Sequence, residues 1–191
     1  VIYRVPLGMS VAFPASHCPK CGYKLRWYDN IPVLSYVILG GKCRSCKERI
    51  SFRYTLVEIL TAALWLLCAF LFKDNLVYMF CAIITCSVGV CVTFIDLEHM
   101  IIPDRFHLIM LPVAVLAVFC DEKYDYVSHL IGFGSAIVVF VGIAWLGEKI
   151  LKREALGGGD VKLAIVAGLF LGWQKLVLMM LVASVIGSAV M

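Results

Sequence analysis

The sequence predicts an all-α polytopic membrane protein with a small cytoplasmic zinc-ribbon-like domain at its amino-terminal end. Three observations carry this. Hydrophobic residues make up 62% of the 191 and charged residues only 16%, whereas an ordinary soluble domain carries about 25% charged residues. The mean hydropathy is +0.95, and the apolar residues gather in long runs after residue 54. Two CxxC pairs stand in the polar, basic stretch before them.

Residues 1–54 are rich in Cys, Lys, Arg, Gly and Pro, with short apolar runs such as Val33-Leu34-Ser35-Tyr36-Val37. Val1-Ile2-Tyr3-Arg4 lacks the charged start and apolar core of a cleavable signal. Cys18-Pro19-Lys20-Cys21 and Cys43-Arg44-Ser45-Cys46 are separated by 21 residues. Each pair can present two thiolates on one tight turn, and two such knuckles close a tetrahedral zinc site. Gly22 supplies the freedom a knuckle turn requires. With all four positions filled by thiolate, the zinc is expected to be structural. Two disulfides or a redox CxxC are the alternatives; a reducing cytoplasm opposes the first and the paired knuckles oppose the second. His17, beside Cys18, reads as a bystander. Cys68, Cys81, Cys86, Cys91 and Cys120 fall in apolar segments and read as small hydrophobes.

Beyond residue 54, hydropathy gives about six candidate spans: 55–72, 76–95, 106–120, 128–146, 161–172 and 176–191. The fifth is short. It reaches across only if Gly172-Trp173 lies near the far interface or the helix starts before Asp160. The organisation is thus a zinc-binding region, 1–54, and a transmembrane region, 55–191, with ends that read as truncated. With residues 1–54 inside, loops 1–54, 96–105 and 147–162 hold 14 Lys and Arg, against Lys73, Lys123 and Lys175 outside. This asymmetry predicts a cytoplasmic amino-terminal region, whose cations rest on anionic lipid headgroups rather than on nucleic acid.

The same count puts Asp96 and Asp160 on one face of the membrane. A carboxylate at or within the bilayer is costly and is a functional hypothesis by default. Two that meet around one water suggest an aspartic-protease pair, one protonated and one ionised. Gly157, Gly158 and Gly159 before Asp160 leave room for a substrate strand or another helix. Taken singly, Asp96 could be a helix end and Asp160 an N-cap. Lys162 biases local charge or simply snorkels to the interface. Glu58, one turn into an apolar segment, needs a partner or a wet cavity. Asp104 reads as an N-cap, and Glu98 and His99 as loop residues.

These residues together resemble the type IV prepilin peptidases, the membrane aspartic proteases of GxGD type. The resemblance rests on Cys18, Cys21, Cys43 and Cys46; on Ile95-Asp96 followed by Ile102-Pro103-Asp104; and on Gly157-Gly158-Gly159-Asp160. Val1-Ile2-Tyr3-Arg4-Val5-Pro6 and Trp27-Tyr28-Asp29-Asn30-Ile31-Pro32 are similar to that family's sequence around its zinc region. The resemblance implies Asp96 and Asp160 as catalytic residues; Gly157, Gly158, Gly159, Lys162 and Glu58 are site-shaping candidates on the reading of the residues given above. It implies prepilin or pseudopilin substrates cut at the cytoplasmic face of a bacterial inner membrane. It also implies S-adenosylmethionine as donor for methylation of the new amino terminus, although no nucleotide-binding fingerprint is visible. The basic leader is expected to meet Asp96, Glu98, Asp104 and Asp160. Two other readings remain at this point: a preflagellin or presenilin-like protease, or a zinc-stabilised scaffold or transporter whose aspartates bind ions.

Overall fold

Local chemistry sets the helix limits. In a computed structural model, which describes residues 1–10, 13, 15–121, 126–152 and 156–190, Ser51 opens helix α2 (Phe52–Leu71) by accepting from the Arg53 backbone N–H at 3.3 Å. It is preceded by a 3-10 turn, Trp27–Asn30, and a five-residue helix, α1 (Leu34–Ile38). Asn75 caps α3 (Leu76–His99), accepting from Tyr78 N–H at 3.0 Å. Its amide also donates to the Cys120 carbonyl, tying the start of α3 to the end of α4 (Asp104–Cys120). Helices α5 (Tyr126–Ala136) and α6 (Gly142–Leu151) are joined by a π-helical stretch, Ile137–Val141, and α7 runs Gly158–Val190. Among the described residues, β-structure is limited to two isolated antiparallel bridges, His17–Lys24 and Lys42–Arg49. Lys123 and Arg153, both used in the charge count, lie outside the described residues.

Among the described residues, four helical stretches are long and apolar enough to cross a membrane: Phe52–Leu71, Leu76–His99, Tyr126–Ile150 and Gly158–Ser188. The buried core is narrow and sits where α3, α4 and α7 meet. Ile95 and Ala117 are fully enclosed there, and Tyr78 stacks on Phe170 with centroids 5.8 Å apart. Outward-facing Leu66, Phe70, Val138 and their like stay exposed, as lipid-facing surface must be in a membrane bundle.

The closest helix pair is α5 with α7, and small residues explain it. A Cβ on Gly132 would lie 2.5 Å from the Gly168 carbonyl oxygen, and one on Gly168 would lie 2.6 Å from the Gly132 carbonyl oxygen and 3.0 Å from Ala136 Cβ. Gly132 and Ala136 face Gly168 and Gly172, each pair one helical turn apart. This is the small-xxx-small arrangement by which membrane helices bring their backbones together.

The fifth and sixth candidate spans form one helix interrupted at Gly172 (φ 75°, ψ 168°). This left-handed residue packs against Ser128, close to the start of α5. The expected shortness of the fifth segment is thereby resolved: the helix begins at Gly158, before Asp160, and its break lies at the opposite end of α5 from α6. Just before the break, the Leu169 carbonyl meets His129 Nδ1 at 2.9 Å. A carbonyl can only accept, so Nδ1 carries the proton, and Nε2 faces Asp121 Oδ2 at 3.4 Å. Both side chains are buried, His129 wholly.

Three local expectations are corrected. Glu98 and His99 are not loop residues; they complete the last turn of α3, which ends at left-handed Met100. Asp104 is not an N-cap. Pro103 holds that position, its ring fixing the extended entry to α4, and the Asp104 carboxylate instead pairs with Lys162 Nζ at 2.6 Å.

The α5–α7 contact yields a stability prediction. Gly168→Ala should destabilise the fold by roughly 1–3 kcal/mol, the usual range for overpacking. Gly134→Ala, whose Cβ meets nothing within 4 Å, should be neutral or slightly stabilising. Thermal unfolding of the two variants in the same detergent checks the contrast.

Candidate functional site

Asp96 lies in the last helical turn of α3, and Asp160 in the first turn of α7. Both line one cleft of about 270 Å³, with Met100, Ile101 and Ile102 along one wall and Gly157, Gly158 and Gly159 along the other. Both carboxylates are exposed to this cleft and lie within electrostatic reach of one another. The glycines have different reasons to be there. A Cβ on Gly159 would come 2.8 Å from Ile102 Cβ, so this glycine allows the start of α7 to lie against the 101–103 segment. A Cβ on Gly157 would come 3.0 Å from Asp160 Oδ2, so the carboxylate folds back over it. Gly158 faces open space.

One guanidinium braces the other carboxylate. Arg53, at the start of α2, donates to the Phe94 carbonyl at 2.6 Å, forms an ion pair with Glu98 and lies over the Phe94 ring. Phe94 and Glu98 flank Asp96 on α3. The last turn bearing Asp96 is therefore clamped on both sides by a planar, multidentate cation.

The amino-terminal region holds a second constellation. The sulfurs of Cys18, Cys21, Cys43 and Cys46 all lie within 4.8 Å of one another, with Cys18–Cys46 at 3.9 Å and Cys21–Cys43 at 4.0 Å. A tetrahedral ion bound at about 2.3 Å to each sulfur would set them about 3.8 Å apart. The cluster fits a metal ion. The two knuckles share one backbone pattern: Cys18 N–H to Tyr23 carbonyl with Gly22 N–H to Cys18 carbonyl, and Cys43 N–H to Glu48 carbonyl with Lys47 N–H to Cys43 carbonyl. Gly22 and Lys47 both take the left-handed conformation. Backbone N–H groups of Cys21 and Lys20 pull the Cys18 thiol down to about 7. Cys46, against the lowering effect of the Glu48 backbone N–H, is pushed up to about 11 by desolvation and by its three neighbouring thiols. Four sulfurs this close cannot all ionise without a cation between them. Arg44 locks the second knuckle to the Trp27–Asn30 turn through Asp29, whose side chain is only 1% exposed, at 2.9 Å. Hydrogen bonding to Asp29 raises the Arg44 guanidinium further above its ordinary value.

Residues 1–72 match the family model of the bacterial peptidase A24 N-terminal domain, and residues 83–191 match that of the type IV leader peptidase family. The chain belongs to the type IV leader peptidase family. Among its relatives is the prepilin leader peptidase/N-methyltransferase of Myxococcus xanthus (strain DK1622), 38% identical over 191 residues, all of this chain and 56% of that protein. The protein of the same name from Dichelobacter nodosus is 37% identical over 174 residues, 91% of this chain and 60% of that one. That from Klebsiella pneumoniae is 33% identical over 190 residues, 96% of this chain and 83% of that one. The chain thus spans less than two thirds of the length of the first two relatives. No solved structure matches it.

Within this family frame, the structure sorts the candidate residues. Asp96, Asp160 and the three glycines share the cleft. Lys162 does not line it, being paired with Asp104 on the exposed side of α4. Glu58 is also elsewhere, accepting the Val33 backbone N–H at 2.8 Å. His17 turns away from the sulfurs, its Nδ1 on the Ala15 carbonyl at 3.0 Å. Arg53, Asp29 and Arg44 escaped the sequence reading. Arg53 and Glu98 are 45 positions apart, and nothing in their local spacing signals that they meet. The Trp-Tyr-Asp-Asn run beside a knuckle was the one visible hint at Asp29.

The metal centre gives the prediction here. Cys43→Ser with Cys46→Ser should abolish bound metal, while His17→Ala should retain it in full. Elemental analysis of the purified full chain reads both, and metal retained in the double variant would remove those two ligands from the site.

Proposed function

We propose that this chain carries the peptidase centre of a membrane aspartic endopeptidase that cuts the basic leader from type IV prepilins or pseudopilins, with Asp96 and Asp160 as its catalytic residues. The observation that supports this above all is that the two carboxylates, 64 positions apart, line one cleft walled on one side by glycines. In the aspartic-protease arrangement one carboxyl of the pair keeps a proton and the other is ionised. The ionised partner takes a proton from a water held between them, and the water oxygen attacks the scissile carbonyl carbon. The protonated partner hydrogen-bonds the carbonyl oxygen as negative charge develops there. Collapse of the tetrahedral intermediate breaks the C–N bond, and the leaving amine receives a proton from the pair. The open face at Gly158 gives an extended substrate backbone its approach.

The proposal extends to the whole assembly. The charge asymmetry supports a bacterial inner-membrane protein with the cleft and the cysteine region on the cytoplasmic side. Of the four acids expected to receive the basic leader, Glu98 and Asp104 are already paired with Arg53 and Lys162. The leader's cations are thus left chiefly to Asp96 and Asp160. The cysteine cluster would hold a structural zinc, with residues 1–54 as its folding unit and 55–191 as the membrane unit. Methylation of the new amino terminus from S-adenosylmethionine rests on the relatives' name, and no step is assigned to residues of this chain.

Two outcomes test the reading with a synthetic prepilin in vesicles. Asp96→Asn and Asp160→Asn should each lower kcat by about 10³-fold, within the range for losing a general acid or base. The double variant should be hardly worse, because residues that act as a unit are non-additive. Near-normal cleavage by either single variant would remove that residue from the mechanism. The glycines should also divide. Gly158→Ala should cleave almost normally, whereas Gly159→Ala should lose most of its kcat while still folding, since its new methyl pushes the start of α7 off Ile102.

A further inference from the structure

Glu58 sits where a charge is costly, and its partner shows how deep the amino-terminal region reaches. Helix α2 has 20 residues, which at about 1.5 Å per residue spans about 30 Å, the thickness of the hydrocarbon core. Glu58, six residues past Phe52, lies about 9 Å along that span from its first residue. Its carboxylate accepts the Val33 backbone N–H at 2.8 Å, at the amino end of α1. Val33 is held there at φ 61°, a conformation that a β-branched residue adopts rarely. Farther along α1, the Tyr36 ring packs on Phe52 at 6.1 Å and its hydroxyl donates to the Ile50 carbonyl. Side-chain contacts thus tie α1 and its cap to the start of α2 and its first two turns.

The outward face of α1 is apolar. Leu34, Val37 and Ile38, at i, i+3 and i+4, share one face, and Val37 and Ile38 are 69% and 70% exposed. Trp27, in the turn that packs against α1, is 80% exposed. Lys42, four positions past the end of α1, bridges to Arg49. Across residues 1–54 there are nine Lys and Arg against two acids, Asp29 and Glu48, and both acids are engaged by Arg44 and Lys20. An apolar face in a region with an excess of cations is complementary to a leaflet of anionic phospholipid.

We propose that α1 and Trp27 form a membrane-seating face, inserted at the headgroup–acyl boundary of an anionic leaflet, with Glu58 as the internal anchor that holds it at that depth. The metal region is thus seated in the surface rather than suspended above it.

Photocrosslinking tests this on the full chain in vesicles of phosphatidylethanolamine and phosphatidylglycerol. A photoreactive side chain replaces Val37 in one variant and Ser45, exposed between the knuckle cysteines, in another. Position 37 should give several-fold more phospholipid adducts than position 45, enriched in phosphatidylglycerol over its share of the vesicle. Adding a prepilin should leave that yield unchanged. In a Glu58→Ala background the yield at position 37 should fall, with the bound metal retained. Equal lipid adducts at the two positions would overturn the proposal. So would transfer of the position 37 adducts to the prepilin, which would make the face a substrate-docking surface instead.

Discussion

The backbone contact between α5 and α7 at Gly132 and Gly168 aims the helix that carries Asp160. Helix α7 brings Asp160, and its direction is fixed where the two chains touch carbonyl to Cα with no side chain between. In a bilayer the surrounding solvent is as apolar as the helices, so close packing must supply the association that water would drive elsewhere. The same device recurs at Gly159, where the helix start presses on Ile102. One glycine contact aims α7, and the other docks its acidic end against the loop that follows Asp96.

Two polar side chains of the bundle, His129 and Glu58, serve the backbone where a helix breaks or begins. The His129–Asp121 pair sits beside the break at Gly172, where the Leu169 carbonyl takes a side-chain donor. Such satisfaction of freed backbone groups is what makes a helix break tolerable in lipid. Glu58 likewise accepts the N–H of Val33, the residue that caps α1. His129 and Glu58 thus each hold a backbone group, whereas Asp96 and Asp160 open onto a cleft.

Hydropathy made the spans legible, because a bilayer demands long apolar runs whatever the fold. The cysteine spacing made the metal cluster legible, because a knuckle is a local structure. The carboxylate pair could be inferred from charge topology and motif. What stayed hidden depended on contacts distant in sequence. Lys162 reads equally as a site lysine or an interfacial one until Asp104 is seen beside it. Glu58 announces a missing partner without saying which. The joining of the last two spans at Gly172 was ambiguous because Gly-Trp serves equally well as a loop or as an interruption within one rod.

Arg53 has a consequence for how the chain is divided. The boundary suggested by composition, at residue 54, falls inside the first turn of α2, and Arg53 reaches from that turn to the backbone of α3. Only a short stretch of chain separates Cys46 from this arginine. The sulfur cluster and the turn bearing Asp96 are thus links in series on one mechanical tether, with Arg53 as the coupling pin. Arg53 joins the stretch of chain that follows the knuckles to the turn bearing Asp96.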